Sequence, residues 1–218
     1  MSKIEAEFAM NPDPRCACVL LLDTSASMAG ESLAALNKGL QSFQEDLQED
    51  ALAKRRVEVA IVTFGSGGVQ KVQDFVTAEQ FAAPKLFAGG TTPMGEAINV
   101  ALDLVKERKE QYRSNGIAYY QPWVFMVTDG APNPESPWQS AAERVKGDVA
   151  AKSLAFFGVG VADADMDVLA KITPRAIKLD GLRFNELFVW LSQSQKRVSA
   201  SKPGEQTALP QVNFGSPV

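Results

Sequence analysis

Short continuous apolar runs alternate along the chain with longer stretches in which apolar residues recur every third or fourth position. Cys16 to Leu22 (CACVLLL) predicts a central strand buried on both faces. Leu33, Leu36, Leu40, Phe43 and Leu47 then follow the spacing of an amphipathic helix. Val57 to Phe64 (VEVAIVTF) predicts a second strand. The more polar Val69 to Val76, just after Ser66-Gly67-Gly68, predicts an edge strand paired through a tight turn. A second helix is expected from Pro93 to about Arg108, with Met94, Ile98, Ala101, Leu102 and Val105 inward.

Trp123 to Thr128 (WVFMVT) and Leu154 to Val161 (LAFFGVGV) predict further buried strands. Between them, Ser136-Pro137-Trp138-Gln139 has the order of a helix start: cap, proline, then Gln at the third helical position. A short helix near Asp165 to Lys171, a short strand at Ala176 to Leu179 and a closing helix from Arg183 to about Val198 complete the pattern. Strands alternating with helices predict an α/β fold: a doubly wound, Rossmann-like and mostly parallel sheet with one antiparallel edge strand and helices on both faces. Residues 1–15 are expected to form an N-terminal arm and 16–198 the domain. The Pro-, Gly- and Ser-rich 199–218 predicts a flexible C-terminal tail.

Composition narrows the chemistry. The 218 residues carry 22 basic and 26 acidic side chains, a net charge of −4, with no clustered basic stripe for nucleic acid or an anionic membrane. No apolar run approaches the length needed to cross a bilayer, and MSKIEAEFAMNPDPR lacks a secretory hydrophobic stretch, so a cytoplasmic location is expected. There is no histidine, which removes Ser–His–Asp and Cys–His catalysis and histidine-ligated zinc. Cys16 and Cys18 fall on one face of the first strand, too far apart for easy bridging, and are read as small core residues.

Oxygen-bearing side chains gather where the apolar runs end. Asp23, Ser25 and Ser27 follow the first strand, Asp129 follows WVFMVT, and Thr91 and Thr92 precede a helix in GGTTPMG. In open α/β sheets, ligands bind beyond the carboxyl ends of the strands, where strand order reverses. Two carboxylates and several hydroxyls, with no thiolate or imidazole, form a hard donor set suited to Mg²⁺ or Mn²⁺.

Asp23-Thr24-Ser25-Ala26-Ser27, Thr92 in GGTTPMGEAI and Asp129 in VTDG resemble the metal-ion-dependent adhesion site (MIDAS) of von Willebrand factor type A (VWA) domains. The resemblance covers roughly Cys16 to Val198 and implies a VWA fold. It implies that Ser25, Ser27 and Thr92 meet a divalent cation through hydroxyls, and that Asp23 and Asp129 bind it directly or through water. It also implies a binding module rather than an enzyme, in which a partner protein supplies a Glu or Asp to the metal. GGTTPMGEAI, YRSNGIAYYQPWVFMVTDGAP and FFGVGVADADMDVLAKIT are similar to bacterial cytoplasmic VWA proteins linked to tellurium resistance, the TerY-like group. That similarity implies a stress-response role beside kinase- or phosphatase-like partners.

Several residues have plainer readings. Asp163 and Asp165 are expected in a solvated loop and helix cap, and Tyr119 and Tyr120 in packing at the sheet end away from the oxygen cluster. Trp138 follows the VTDG loop and is expected to be partly buried. The enzyme alternative is a Mg²⁺-dependent haloacid-dehalogenase-like phosphatase, whose pattern places a second Asp, the acid/base, where this chain has Ser25. Neither GSGG (65–68) nor AGG (88–90) has the lysine spacing of a phosphate-binding loop.

Overall fold

The computed structural model describes residues 3–134 and 138–218. A short helix α1 (Lys3–Met10) leads into β1 (Cys16–Thr24), α2 (Glu31–Glu49), α3 (Ala53–Arg56), β2 (Val57–Gly65) and β3 (Gly68–Thr77). Then come α4 (Met94–Ser114), β4 (Trp123–Thr128), α5 (Trp138–Ala150), β5 (Ala155–Gly160), α6 (Met166–Ile172), β6 (Ala176–Leu179), α7 (Phe184–Ala200) and β7 (Gly215–Pro217). The sheet order is β3-β2-β1-β4-β5-β6-β7. β1 pairs in parallel with both β2 and β4, β5 and β6 extend the parallel set, and β3 lies antiparallel on β2. The expected VWA-type, Rossmann-like sheet is what forms.

Every residue of β1, β2 and β4 is buried, as continuous apolar runs dictate when helices cover both faces. Alternation within β1 divides the core. Leu20 and Leu22 face the layer holding Phe43, Leu47, Phe184 and Phe188, while Val19 and Leu21 face Ile98, Ala101, Leu102 and Val145. Cys16 and Cys18 are free and buried, as expected, and desolvation pushes the Cys18 thiol up to about 12. Asp165 caps α6 by accepting from the Val168 N–H, and Trp138 is partly buried against the core. Tyr119 stacks on Tyr112 at 5.3 Å, and the Tyr120 hydroxyl donates to the Ser199 and Ser201 carbonyls. The cap expected at Ser136-Pro137 lies outside the described residues.

Two departures have physical causes. The helix expected to end near Arg108 continues to Ser114, because Arg108 and Tyr112 are themselves buried. Glu58, the first acid of β2, sits with no exposure at the sheet end opposite the oxygen cluster. It accepts from Arg15 Nε (2.8 Å), from Arg108 Nε and Nη2 (2.8 and 2.9 Å), and from the Tyr112 hydroxyl. Burial alone would lower the Arg108 pKa, but the Glu58 contacts outweigh it and raise it above the ordinary value. The Phe8 ring covers both guanidinium groups, at 5.5 and 4.9 Å, so the arm is docked at its end.

The second departure is the segment predicted as a loose tail. Phe214 is fully buried, 5.6 Å from the Trp190 ring, and Trp190 Nε1 donates to the Pro210 carbonyl at 2.9 Å. β7 then pairs antiparallel with β6 and adds a second antiparallel edge to the sheet. Composition signals a chain unable to build its own core, yet a single aromatic can occupy a slot that α7 already provides.

Glu58→Gln would leave the buried Arg15 guanidinium without its carboxylate partner and Arg108 with Glu7 alone, at 3.3 Å. A loss of roughly 3–5 kcal/mol of folding free energy is expected, read from urea unfolding midpoints.

Candidate metal centre

β1 is the strand at which sheet order reverses, since its two parallel neighbours leave it on opposite sides. Its carboxyl end carries Asp23, which is fully buried. Asp23 Oδ1 accepts from the Ser25 backbone N–H at 2.8 Å, and Oδ2 accepts from the Thr128 hydroxyl at 2.5 Å. Both oxygens are therefore fixed, one by its own loop and one by the end of β4. Burial pushes the Asp23 carboxyl above the usual range; hydrogen bonds from Ser25 and Thr128 pull it back, and the negative charge of Asp129 pushes it up again.

The chain of oxygens continues outward. Ser25 Oγ lies 3.0 Å from Ser27 Oγ, and Ser27 Oγ donates to Asp129 Oδ1 at 2.8 Å. A Cβ built on Gly130 would lie 3.6 Å from Thr92 Oγ1 and 3.9 Å from Ser27 Oγ, so these hydroxyls flank one point beside the VTDG turn. The structure thus brings Asp23, Ser25, Ser27, Thr92 and Asp129 to one end of the sheet, from three loops.

Thr92 is held there by partners that sequence patterns do not show. Its N–H donates to Asn133 Oδ1 at 2.8 Å, and its carbonyl accepts from the Asn133 N–H at 3.0 Å. Asn133 thereby ties the loop carrying Thr92 to the loop carrying Asp129. Upstream, the polar face of α2 anchors the same irregular segment. Asn37 bonds Leu86 through both its amide atoms (2.8 and 3.1 Å), Gln44 accepts from Ala83 N–H, and Gln48 donates to the Ala78 and Phe81 carbonyls. Gly89 N–H donates to the Thr24 carbonyl and Ala26 N–H to the Gly90 carbonyl, stitching this segment to the end of β1. Gly90 (φ 72°) approaches so closely that a Cβ would fall 2.4 Å from the Gly65 carbonyl oxygen, which no other residue would allow.

The donor set fits a small hard cation: two carboxylates and three hydroxyls. Among the described residues no group of three or more His, Cys, Asp or Glu forms a metal cluster, so any coordination shell here would combine the two carboxylates with hydroxyl, water or backbone oxygens.

The von Willebrand factor type A domain model matches residues 18–185. The chain belongs to the VWA family. Among solved structures, this VWA chain is similar to proximal thread matrix protein 1 from the mussel byssus (15% identity, TM-score 0.61, covering 91% of this chain and 50% of that one). It is also similar to the SpRpn10 VWA domain (15%, 0.56, covering 79% and 93%) and to the manganese-loaded TRAP protein of Plasmodium vivax (17%, 0.55, covering 80% and 71%). The mussel protein has also been solved with a zinc-occupied MIDAS motif. At these identities the likeness is one of fold, and the chain spans about half the length of the mussel protein. No curated protein matches it. Among the described residues no helix is long and apolar enough to cross a membrane.

Because its native-state pKa is raised, Asp23 makes stability fall as pH rises from the usual carboxylate range through that raised value. Asp23→Asn, assayed in EDTA, should raise Tm at pH 7, with the gain shrinking as pH is lowered toward that range. Asn133→Ala should leave global stability nearly unchanged but speed amide exchange at Thr92, measured by hydrogen–deuterium exchange.

Proposed function

We propose that this VWA domain is a cation-dependent docking module for an acidic residue of a partner protein. The observation that carries this reading is the hydrogen-bonded chain Asp23–Ser25–Ser27–Asp129 at the switch point of the sheet, with Thr92 held beside the same turn by Asn133. Ser25, Ser27 and Thr92 would hold a divalent cation through their hydroxyls, and Asp23 and Asp129 would balance its charge directly or through water. Mg²⁺ is the expected ion, with Mn²⁺ as a close substitute; the zinc and manganese reported for the two structural relatives support a divalent site. A bound cation supplies an electrophilic corner that a partner's Glu or Asp carboxylate can fill.

The residues argue for holding rather than for turnover. A nucleophilic Asp of that phosphatase type needs a neighbouring acid/base two residues on, and Ser25 occupies that position. This is why the binding reading is preferred to a haloacid-dehalogenase-like phosphatase. A cytoplasmic, bacterial stress-response setting of the tellurium-resistance type, with kinase- or phosphatase-like proteins as partners, rests on the sequence similarity to the TerY-like group and is proposed on that basis.

Mn²⁺ binding followed by calorimetry should fall at least about tenfold in Asp23→Ala, with the fold retained by circular dichroism. Partner capture by the wild type should occur in Mg²⁺ and be lost both in EDTA and with Asp23→Ala. Hydrolysis of p-nitrophenyl phosphate by the Mg²⁺-loaded protein, abolished by Asp23→Ala, would overturn the binding reading.

A further inference from the structure

Between α4, α5 and the start of β5, at the sheet end away from Asp23, lies a cavity of about 400 Å³, within the size range of small-molecule sites. Its floor is apolar, from Leu102, Val105 and Leu154. Its walls carry Lys106, Lys109 and Arg113, spaced along one face of α4, and Arg144 of α5. Four cations against two acids, Glu110 and Asp148, make the crevice net positive in a chain of net charge −4. Only Arg144 of the four has an ion pair within 4 Å among the described residues, with Asp103 at 2.7 Å.

Lys109 is held in place rather than waving in solvent. Its ammonium donates to Ser153 Oγ at 2.7 Å and to the Ser153 carbonyl at 3.1 Å, leaving a third N–H. Partial burial and the nearby Arg113 lower its pKa, and the Asp148 carboxylate offsets this only in part. Gly147 provides an independent observation. It lies inside α5, its φ is not in the left-handed region, and a Cβ there would meet nothing within 4 Å. Neither backbone strain nor packing requires glycine, which weakens a helix interior. It lines the crevice, and the space beside it is open.

We propose that this crevice is a second ligand site, taking a phosphorylated, hydroxyl-bearing small molecule of the sugar-phosphate class. Lys109, Lys106 and Arg113 would take the phosphate. Glu110 and Asp148, which line the same cavity, repel an anion but accept hydrogen bonds from hydroxyls. Among the described residues no aromatic ring lines the cavity to stack on a base, which favours a sugar phosphate over a nucleotide. Lys109 is 17 residues beyond Thr92, roughly 25 Å along the α4 axis, so this site is separate from the oxygen cluster.

The test is calorimetry of the full chain at low salt, titrated separately with glucose 6-phosphate, ribose 5-phosphate, glucose, inorganic phosphate and AMP. One of the two sugar phosphates should bind at least about tenfold more tightly than glucose, inorganic phosphate or AMP. Lys109→Gln and Gly147→Leu should each weaken that binding by about tenfold or more, while Gly147→Leu keeps or raises Tm. Asp23→Ala and EDTA should leave it unchanged, so it stands or falls independently of the cation reading. Equal or tighter binding of inorganic phosphate or AMP, indifference to Gly147→Leu, or no binding of either sugar phosphate would overturn the proposal.

Discussion

Everything at the oxygen-rich end depends on β1 being paired in parallel on both sides and buried on both faces. A strand so confined cannot slip by a residue without turning its whole apolar set to the wrong layer. Its register, Leu22 opposite both Thr63 and Val127, therefore fixes where the apolar run stops and Asp23 begins. The acid is delivered into the cleft by the packing of residues that never touch it.

That delivery leaves a fully buried carboxylate beside a second acid, an arrangement that folding by itself disfavours. The surrounding chain compensates with directed donors rather than with a fixed counter-charge: the Ser25 amide, the Thr128 hydroxyl and the Ser25–Ser27 pair. An arginine there would have neutralised the site and closed it to cations. The same chain shows the other solution at the opposite end of the sheet, where Glu58 is matched by Arg15 and Arg108. One buried acid is locked by cations; the other is met by hydrogen-bond donors alone, with Asp129 beside it.

The fold, and Asp23, Ser25, Ser27 and Asp129 as oxygen donors, were legible because both are local signals: strand-length apolar runs, helical periodicity, and acids and hydroxyls set at strand ends; Thr92, rather than Thr91, came from the family resemblance alone. What was not legible is non-local and polar. Asn133 reads as a loop residue, and only its two bonds to Thr92, 41 positions away, reveal its role. Asn37, Gln44 and Gln48 read as the solvated side of a helix, yet they hold the segment that carries Thr92. Glu58 and its partners are 43 to 54 positions apart and follow no period. The C-terminal segment misled for the converse reason, since its composition says nothing about the slot beside Trp190 that receives Phe214.

The docking of both flanks bears on where the cooperative folding unit ends. The family match spans residues 18–185, but Phe8, Arg15, Trp190 and Phe214 all lie outside it and all are buried. A fragment trimmed to that match would strip the cation from one side of Glu58, remove nearly all of α7 and bare the sheet face beneath it. Excising the recognisable domain would therefore yield an aggregation-prone remnant rather than a minimal binder.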